Sequence, residues 1–454
     1  MNKFFKFAAA ATLTISMAAC SNGSESKDDA ASADKLSGTY SIHVEGDDWG
    51  CGVDKAIVEL NKEIESVDKD SFKVTEFKQN TDWSKEDTPV IEDTYDREVT
   101  DAYLSDENGE KVDGPSKYVT LDMYISPNDG SPFLYSPLTG FNTWSDPYEL
   151  TITLNEGKTL KADGAEITEL TVEGKPTGKT TEADVFEASE YKSSDGWTLP
   201  YATWTPEEKS DTLFVWLHGM GEGGANVDGV KDATDVQVPI LANEVTQYIS
   251  DDFQKTLGGA NVLVPQAPSY WMDRKGDYSE YADRLTGADG TSAFTTALHE
   301  LIDEVKEETG SKKVVIAGCS NGGYMTMVMA MNYGDEYTAY VPICEAVPDE
   351  AITDEQIEKL AKHPIYFIWA ENDTTVDPKT REEPTVQRLK DAGAKEVVVS
   401  TTKDVPDTTG RFEDENGDPH QYSGHWSWVI FDNGESVSTD GVKAWDWIAD
   451  QIKK

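Results

Sequence analysis

Gly318-Cys319-Ser320-Asn321-Gly322 sets a serine between glycines, with the apolar run Val314–Ile316 before it and a Met- and Ala-rich run after it. This is G-x-S-x-G at a strand-to-helix junction, where the flanking positions must be small for the backbone to turn sharply and present a hydroxyl. The positive end of the following helix favours developing negative charge. A capping serine in a glycine-rich turn looks the same in isolation, so the partners decide. A serine hydroxyl needs a base to take its proton, and the base needs a carboxylate to fix its tautomer. Asp373 follows the apolar run Ile365–Trp369, with Asp377 as the alternative. Of six histidines, His43 lies in the N-terminal half, His218 in a glycine-rich loop, His299 within a helical pattern and His363 before Pro364 at the wrong end of a strand. His420 and His425 remain. His425 is favoured because Gly424 frees its backbone, while Trp426 and Trp428 can pin its loop. The chemistry this predicts is acyl transfer, with Ser320 as nucleophile, His425 as base and Asp373 as its orienter. Leu217-His-Gly-Met-Gly-Glu-Gly-Gly224 adds a glycine-rich loop after another strand; the N–H groups of Met220 and Asn321 are the expected donors to an oxyanion.

These residues require a scaffold that brings loops from several strands together. Leu213–Leu217, Val262–Val264, Val314–Ile316, Tyr340–Ile343, Ile365–Trp369 and Val397–Ser400 are short apolar runs, as in strands buried on both faces. Between them lie amphipathic helices, the clearest carrying Phe294, Ala297, Leu298, Leu301, Ile302 and Val305. Another, residues 442–454, closes the chain. Alternating strands and helices over residues 186–454 predict an α/β domain, a mostly parallel sheet flanked by helices, with ligands at the carboxyl ends of the strands. Residues 37–182 follow another grammar. Tyr40, Ile42 and Val44 alternate with polar residues, as do Val119–Ile125 and Tyr148–Leu154, with turn signals at Asn108-Gly109, Pro127–Gly130 and Asn155–Gly157. An all-β sandwich is expected there.

The chain of 454 residues carries 39 Lys+Arg against 86 Asp+Glu, a net charge of −47. Such a charge repels nucleic acid and anionic lipid surfaces. Lys3 and Lys6, an apolar run from Phe7 to Ile15 and Met17-Ala-Ala-Cys20 have the order of a signal peptide over residues 1–19. The polar, low-complexity residues 20–36 are expected to be a flexible tether. With Cys20 set apart, Cys51, Cys319 and Cys344 do not make a disulfide framework, although Cys319 and Cys344 could pair; buried thiols are expected. Neither a metal nor an organic cofactor is called for. Asp414-Glu-Asn-Gly-Asp418 has spaced oxygens, but its glycine is misplaced for an EF-hand loop, and a turn is expected.

"LHGMGEGG", "GCSNGG", "ENDTTVD" and "GHWSW" together resemble the α/β-hydrolase superfamily, and within it secreted bacterial esterases and predicted peptidases related to feruloyl esterases and polyhydroxybutyrate depolymerases. "VPQAPSYWMD" is similar to the same subgroup, which implies that Tyr270 and Trp271 lie near the acyl or alcohol pocket. Trp271 and Trp426 are aromatics that could stack on a phenolic acyl group or a sugar, or could equally belong to the core. "DDWGCGVDKAIVEL" resembles the immunoglobulin-like domain that precedes the catalytic domain in some of these esterases, and Cys20 resembles the lipidated cysteine of bacterial lipoproteins. The resemblance implies an extracytoplasmic, membrane-anchored or secreted serine hydrolase acting on a small or polysaccharide-linked ester. Two other readings stay open: a serine peptidase related to prolyl oligopeptidases, whose β-propeller gate the N-terminal half is too short to form, and a surface binding protein on an idle hydrolase scaffold.

Overall fold

The computed structural model of the chain describes residues 35–224, 227 and 235–454. Cys20, the signal segment and most of the tether lie outside these residues.

The alternating pattern at Tyr40, Ile42 and Val44 becomes one long strand, Lys35–Asp47, with those side chains buried. Its first residues pair in parallel with Glu169–Val172, and the rest pairs antiparallel with Gly50–Ile64. A register shift between His43 and Val44 bends it. One strand thereby joins two sets. Val90–Arg97, Phe72–Thr81, Tyr148–Leu154 and Glu169–Val172 lie on one side of it, and Gly50–Ile64, Ser116–Met123 and Val99–Ser105 on the other. Val74, Leu150 and Ile152 share a core with Val58, Leu121 and Met123. This is an all-β, immunoglobulin-like sandwich. The turn Asp47-Asp48-Trp49-Gly50 at the end of its first hairpin has consequences for the site below.

The second domain is built on an eight-stranded sheet in the order Glu187–Lys192, Thr198–Trp204, Asn261–Pro265, Thr212–Leu217, Lys313–Cys319, Ala339–Ile343, Ile365–Ala370 and Val397–Thr402. The first two are antiparallel and the last six run parallel. The antiparallel opening hairpin is not legible in the sequence, because Glu187–Lys192 is mostly exposed and carries little apolar patterning. Thr212–Leu217 is buried along its whole length, as a strand covered on both faces must be. Helix Thr295–Thr309 buries Ala297, Leu298, Leu301, Ile302 and Val305 and stops at Gly310, whose φ of 74° only glycine adopts readily. The closing helix, Ala444–Ile452, is shorter than the periodicity predicts. Cys51, Cys319 and Cys344 are buried free thiols. Among the described residues no helix is long and apolar enough to cross a membrane.

Candidate active site

Ser320 stands between the strand Lys313–Cys319 and the helix Asn321–Tyr333, with φ of 54° and ψ of −112°. A non-glycine residue at such angles is strained and persists only where its surroundings hold it. The restraint is visible. A Cβ at Gly322 would collide with the Leu217 carbonyl, so only glycine lets the helix approach the neighbouring strand this closely. The helix itself is buried from Asn321 to Met331, which explains its uniformly apolar sequence.

His425 Nε2 lies 2.8 Å from Ser320 Oγ, and its Nδ1 lies 2.7 Å from Asp373 Oδ2. A carboxylate accepts only, so Nδ1 carries the proton and Nε2 offers a lone pair to the serine hydroxyl. The other carboxylate oxygen, Asp373 Oδ1, accepts the N–H groups of Thr375 at 2.8 Å and Val376 at 2.9 Å. Those bonds fix the carboxylate at the end of its strand. Asp377 is exposed and caps a short helix at Lys379 instead. His420 lies against Tyr422 and is not part of this chain of contacts. His218 holds its loop: Nε2 accepts the Ala267 N–H at 3.0 Å and Nδ1 lies 2.6 Å from the Gly219 carbonyl. The His425 loop is braced by Trp428, edge-on to the imidazole at 5.8 Å, and by Trp426 stacked on Tyr422. Gly424 serves close packing rather than backbone freedom, since its φ is not positive and a Cβ there would strike Asn372.

Ser320, His425, Met220 and Asn321 line one cleft of about 580 Å³. Asn321 begins the helix, and its side-chain Oδ1 accepts the Met272 N–H at 2.9 Å. The sequence misplaces two residues. Tyr270 and Trp271 are both 0% exposed and line no part of the cleft. Trp271 packs against His218 and Phe294 in the core, and the next residue, Met272, is the one at the cleft. Trp426 lines the cleft.

In the sequence the sandwich carries no obvious catalytic cluster and its part in shaping the pocket stays open; in the structure Trp49, Trp83, Phe133, Tyr135 and Asn142 form one wall of the cleft. The two domains are bolted together on either side of it. Asp48 Oδ1 accepts the Tyr422 hydroxyl at 2.8 Å, and Oδ2 accepts Asn433 Nδ2 at 3.0 Å. Arg411 reaches Asp47 at 2.8 Å and Glu45 at 3.1 Å. Burial pushes the Asp47 carboxyl up to about 8 despite the Arg411 charge, and raises that of Asp48 as well. Away from the cleft, a hollow of about 670 Å³ beside Lys443 and Trp445 is lined by none of Ser320, His425, Asp373 and Met220. Among the described residues, His299, Asp303 and Glu336 bring three ligand-type atoms together at the surface, also outside the cleft.

Residues 39–169 match the esterase Ig-like N-terminal domain family, and residues 201–411 match the phospholipase/carboxylesterase family. No curated protein matches the chain. Among solved structures, a thermostable esterase is similar in fold, with a TM-score of 0.65 at 20% identity over 87% of this chain and 96% of that one. A cold-adapted esterase from an Arctic intertidal metagenomic library aligns with 48% of this chain and 83% of its own at 16% identity and a TM-score of 0.33. A ferulic acid esterase aligns with 48% of this chain and 90% of its own at 14% identity and a TM-score of 0.33. The chain is an α/β-hydrolase of the esterase type, in which an esterase Ig-like domain precedes a phospholipase/carboxylesterase domain.

Proposed function

We propose that this esterase works through a Ser320–His425–Asp373 triad and an acyl-enzyme intermediate. The observation that carries the reading is the unbroken chain of contacts, 2.7 Å from Asp373 to His425 and 2.8 Å from His425 to Ser320, ending on a strained serine at the cleft. Ser320 Oγ attacks the ester carbonyl as His425 Nε2 takes its proton, and Asp373 stabilises the resulting imidazolium. The N–H groups of Met220 and Asn321 receive the oxyanion. His425 then protonates the leaving alcohol, and water, activated by the same imidazole, releases the acid and restores Ser320. The aromatic wall of the cleft suits a phenolic acyl group, as in a feruloyl ester, or a sugar carrying an acetyl ester. The leader and Cys20 give the reading its location: a lipid-anchored enzyme on the outer side of a bacterial membrane, held off by the polar tether.

The test is hydrolysis of 4-nitrophenyl acetate and butyrate by the soluble form starting at Ser21, beside Ser320→Ala. A fall in kcat of about 10⁴–10⁶-fold is expected. Equal rates in the two proteins would discard Ser320 as the nucleophile, and a wild type inert toward esters but cleaving peptides would favour the peptidase reading. Cys20→Ser in the full chain should move the protein from the membrane fraction to the soluble one.

A further inference from the structure

We propose that Arg284 is the anchor of an anion-binding subsite and that the preferred esters carry a carboxylate. The proposal rests on the esterase reading and deepens it. Arg284 lines the cleft that holds Ser320 and His425. The other formally charged wall residue, Glu222, is buried, and its Oε1 already accepts Asn142 Nδ2 at 3.0 Å. Arg284 is thus the single guanidinium or ammonium among the described residues of that wall.

The absence of a carboxylate partner among the described residues is the second observation. In a chain with 86 acidic and 39 basic residues, a surface arginine readily finds a carboxylate. Arg97, Arg274, Arg388 and Arg411 each do so. Arg284 has no ion pair among the described residues, and Arg381, which also lacks one, is not at the cleft.

The guanidinium is nonetheless held in place. Its Nη1 donates to the Tyr281 carbonyl at 2.9 Å, and its Cζ sits 4.0 Å above the Tyr281 ring. That ring stacks on Tyr278, whose hydroxyl donates to the Thr139 carbonyl of the sandwich at 2.7 Å. The loop below is organised by Asp273, which accepts the N–H groups of Lys275, Gly276 and Tyr278. A stacked, pre-oriented guanidinium with donors to spare suits bidentate capture of a carboxylate. In the same cleft, Trp83 and Tyr135 stack nearly parallel, ring centroids 6.2 Å apart, with Trp83 63% exposed. They form a shelf for a flat ring beside the charge, so the substrate class is an aromatic or sugar ester bearing a carboxylate.

The test compares kcat/KM within two pairs: 4-acetoxybenzoate against its methyl ester, with the charge on the alcohol side, and 4-nitrophenyl hemisuccinate against 4-nitrophenyl methyl succinate, with the charge on the acyl side. In wild type the anionic member should lead in at least one pair by about tenfold, the size of one charge-assisted contact. Arg284→Gln should bring that ratio to about one or below, Arg284→Lys should keep part of it, and about 1 M NaCl should erode it. No anionic preference in either pair, or a ratio unchanged in Arg284→Gln, overturns the subsite and leaves the esterase reading standing. Hydrolysis of none of the four esters by wild type overturns both.

Discussion

Asn142 of the β-sandwich donates its backbone N–H to the Gly221 carbonyl at 2.6 Å, and its side chain reaches Glu222 at 3.0 Å. The loop it clasps is the one that carries Met220. On the opposite flank Asp48, also of the sandwich, holds Tyr422 and Asn433 on either side of the His425 segment. The N-terminal domain therefore touches two of the loops that surround Ser320. Its effect on chemistry should appear as positioning, because a misplacement of about 1 Å can cost about 10²-fold in rate.

Asn142→Ala removes the Glu222 bond and keeps the backbone one. Loosening the Met220 loop should lower kcat by about tenfold, with a smaller change in KM, since an oxyanion donor acts chiefly in the transition state. Steady-state kinetics with 4-nitrophenyl butyrate decide it. An unchanged kcat would mean that the loop holds itself.

Asp48→Ala leaves the buried Tyr422 phenol without its acceptor, whereas Asn433 Nδ2 keeps Thr408 Oγ1 at 3.0 Å. The orphaned phenol costs about 1–3 kcal/mol, so the melting temperature should drop by a few degrees and kcat should fall with it. Tyr422→Phe takes away one of the two bonds together with its donor, and about 1 kcal/mol is expected. A kcat loss in Asp48→Ala with no loss of melting temperature would point to a local rather than an interdomain role.

That Ser320, His425 and Asp373 come together is legible in the sequence because each follows a recognisable strand, and the sheet brings strand ends together whatever lies between. Aromatic contacts were less so. In Tyr270-Trp271-Met272 nothing in residue type says which of three neighbours reaches the cleft; the fold buries all three, and of them Met272 lines the cleft. Gly424 reads in the sequence as freeing the backbone before His425, but its smallness answers Asn372, a residue on a different loop. The sandwich wall was hidden for the same reason. Asp48 and Tyr422 are 374 positions apart, and such a pairing is a property of domain docking rather than of any local pattern.

That misreading separates two tryptophans experimentally. Trp271→Ala should destabilise the fold by about 3–5 kcal/mol as a core truncation. Trp426→Ala, at the cleft and stacked on Tyr422, should raise KM for aromatic esters several-fold and lower the melting temperature less than Trp271→Ala does. Melting curves and KM for 4-nitrophenyl esters of an aliphatic and an aromatic acid test both. A KM effect in Trp426→Ala that is equal for the two acids would place Trp426 on the alcohol side.

Glu244 offers a pH test of the domain junction. It follows the helix Gln237–Ala242, is held at φ of 44°, and its Oε2 has no partner among the described residues. Burial, reinforced by Asp48, Asp47 and Glu182, pushes its carboxyl up to about 8. The unfolded chain releases that proton near the ordinary value of about 4. Between about pH 4 and pH 8 the folded protein consequently holds a proton that the unfolded one does not, and raising the pH through this window lowers stability. Glu244→Gln has no proton to lose and can keep the Gln247 contact, which Glu244 Oε1 makes at 2.8 Å. Paired acids such as Glu76, whose carboxyl is lowered by Arg97 and Lys78 against its own desolvation, bend the wild-type curve the other way at low pH. The variant must therefore be read against wild type at each pH. The two should melt together near pH 4, and the variant should gain a few degrees by pH 8, at about 1 °C per kcal/mol for a chain of 454 residues. A gain of equal size at both pH values would show that packing, not the proton, sets the difference, and a loss at pH 8 would mean that the ionised carboxylate is stabilised there.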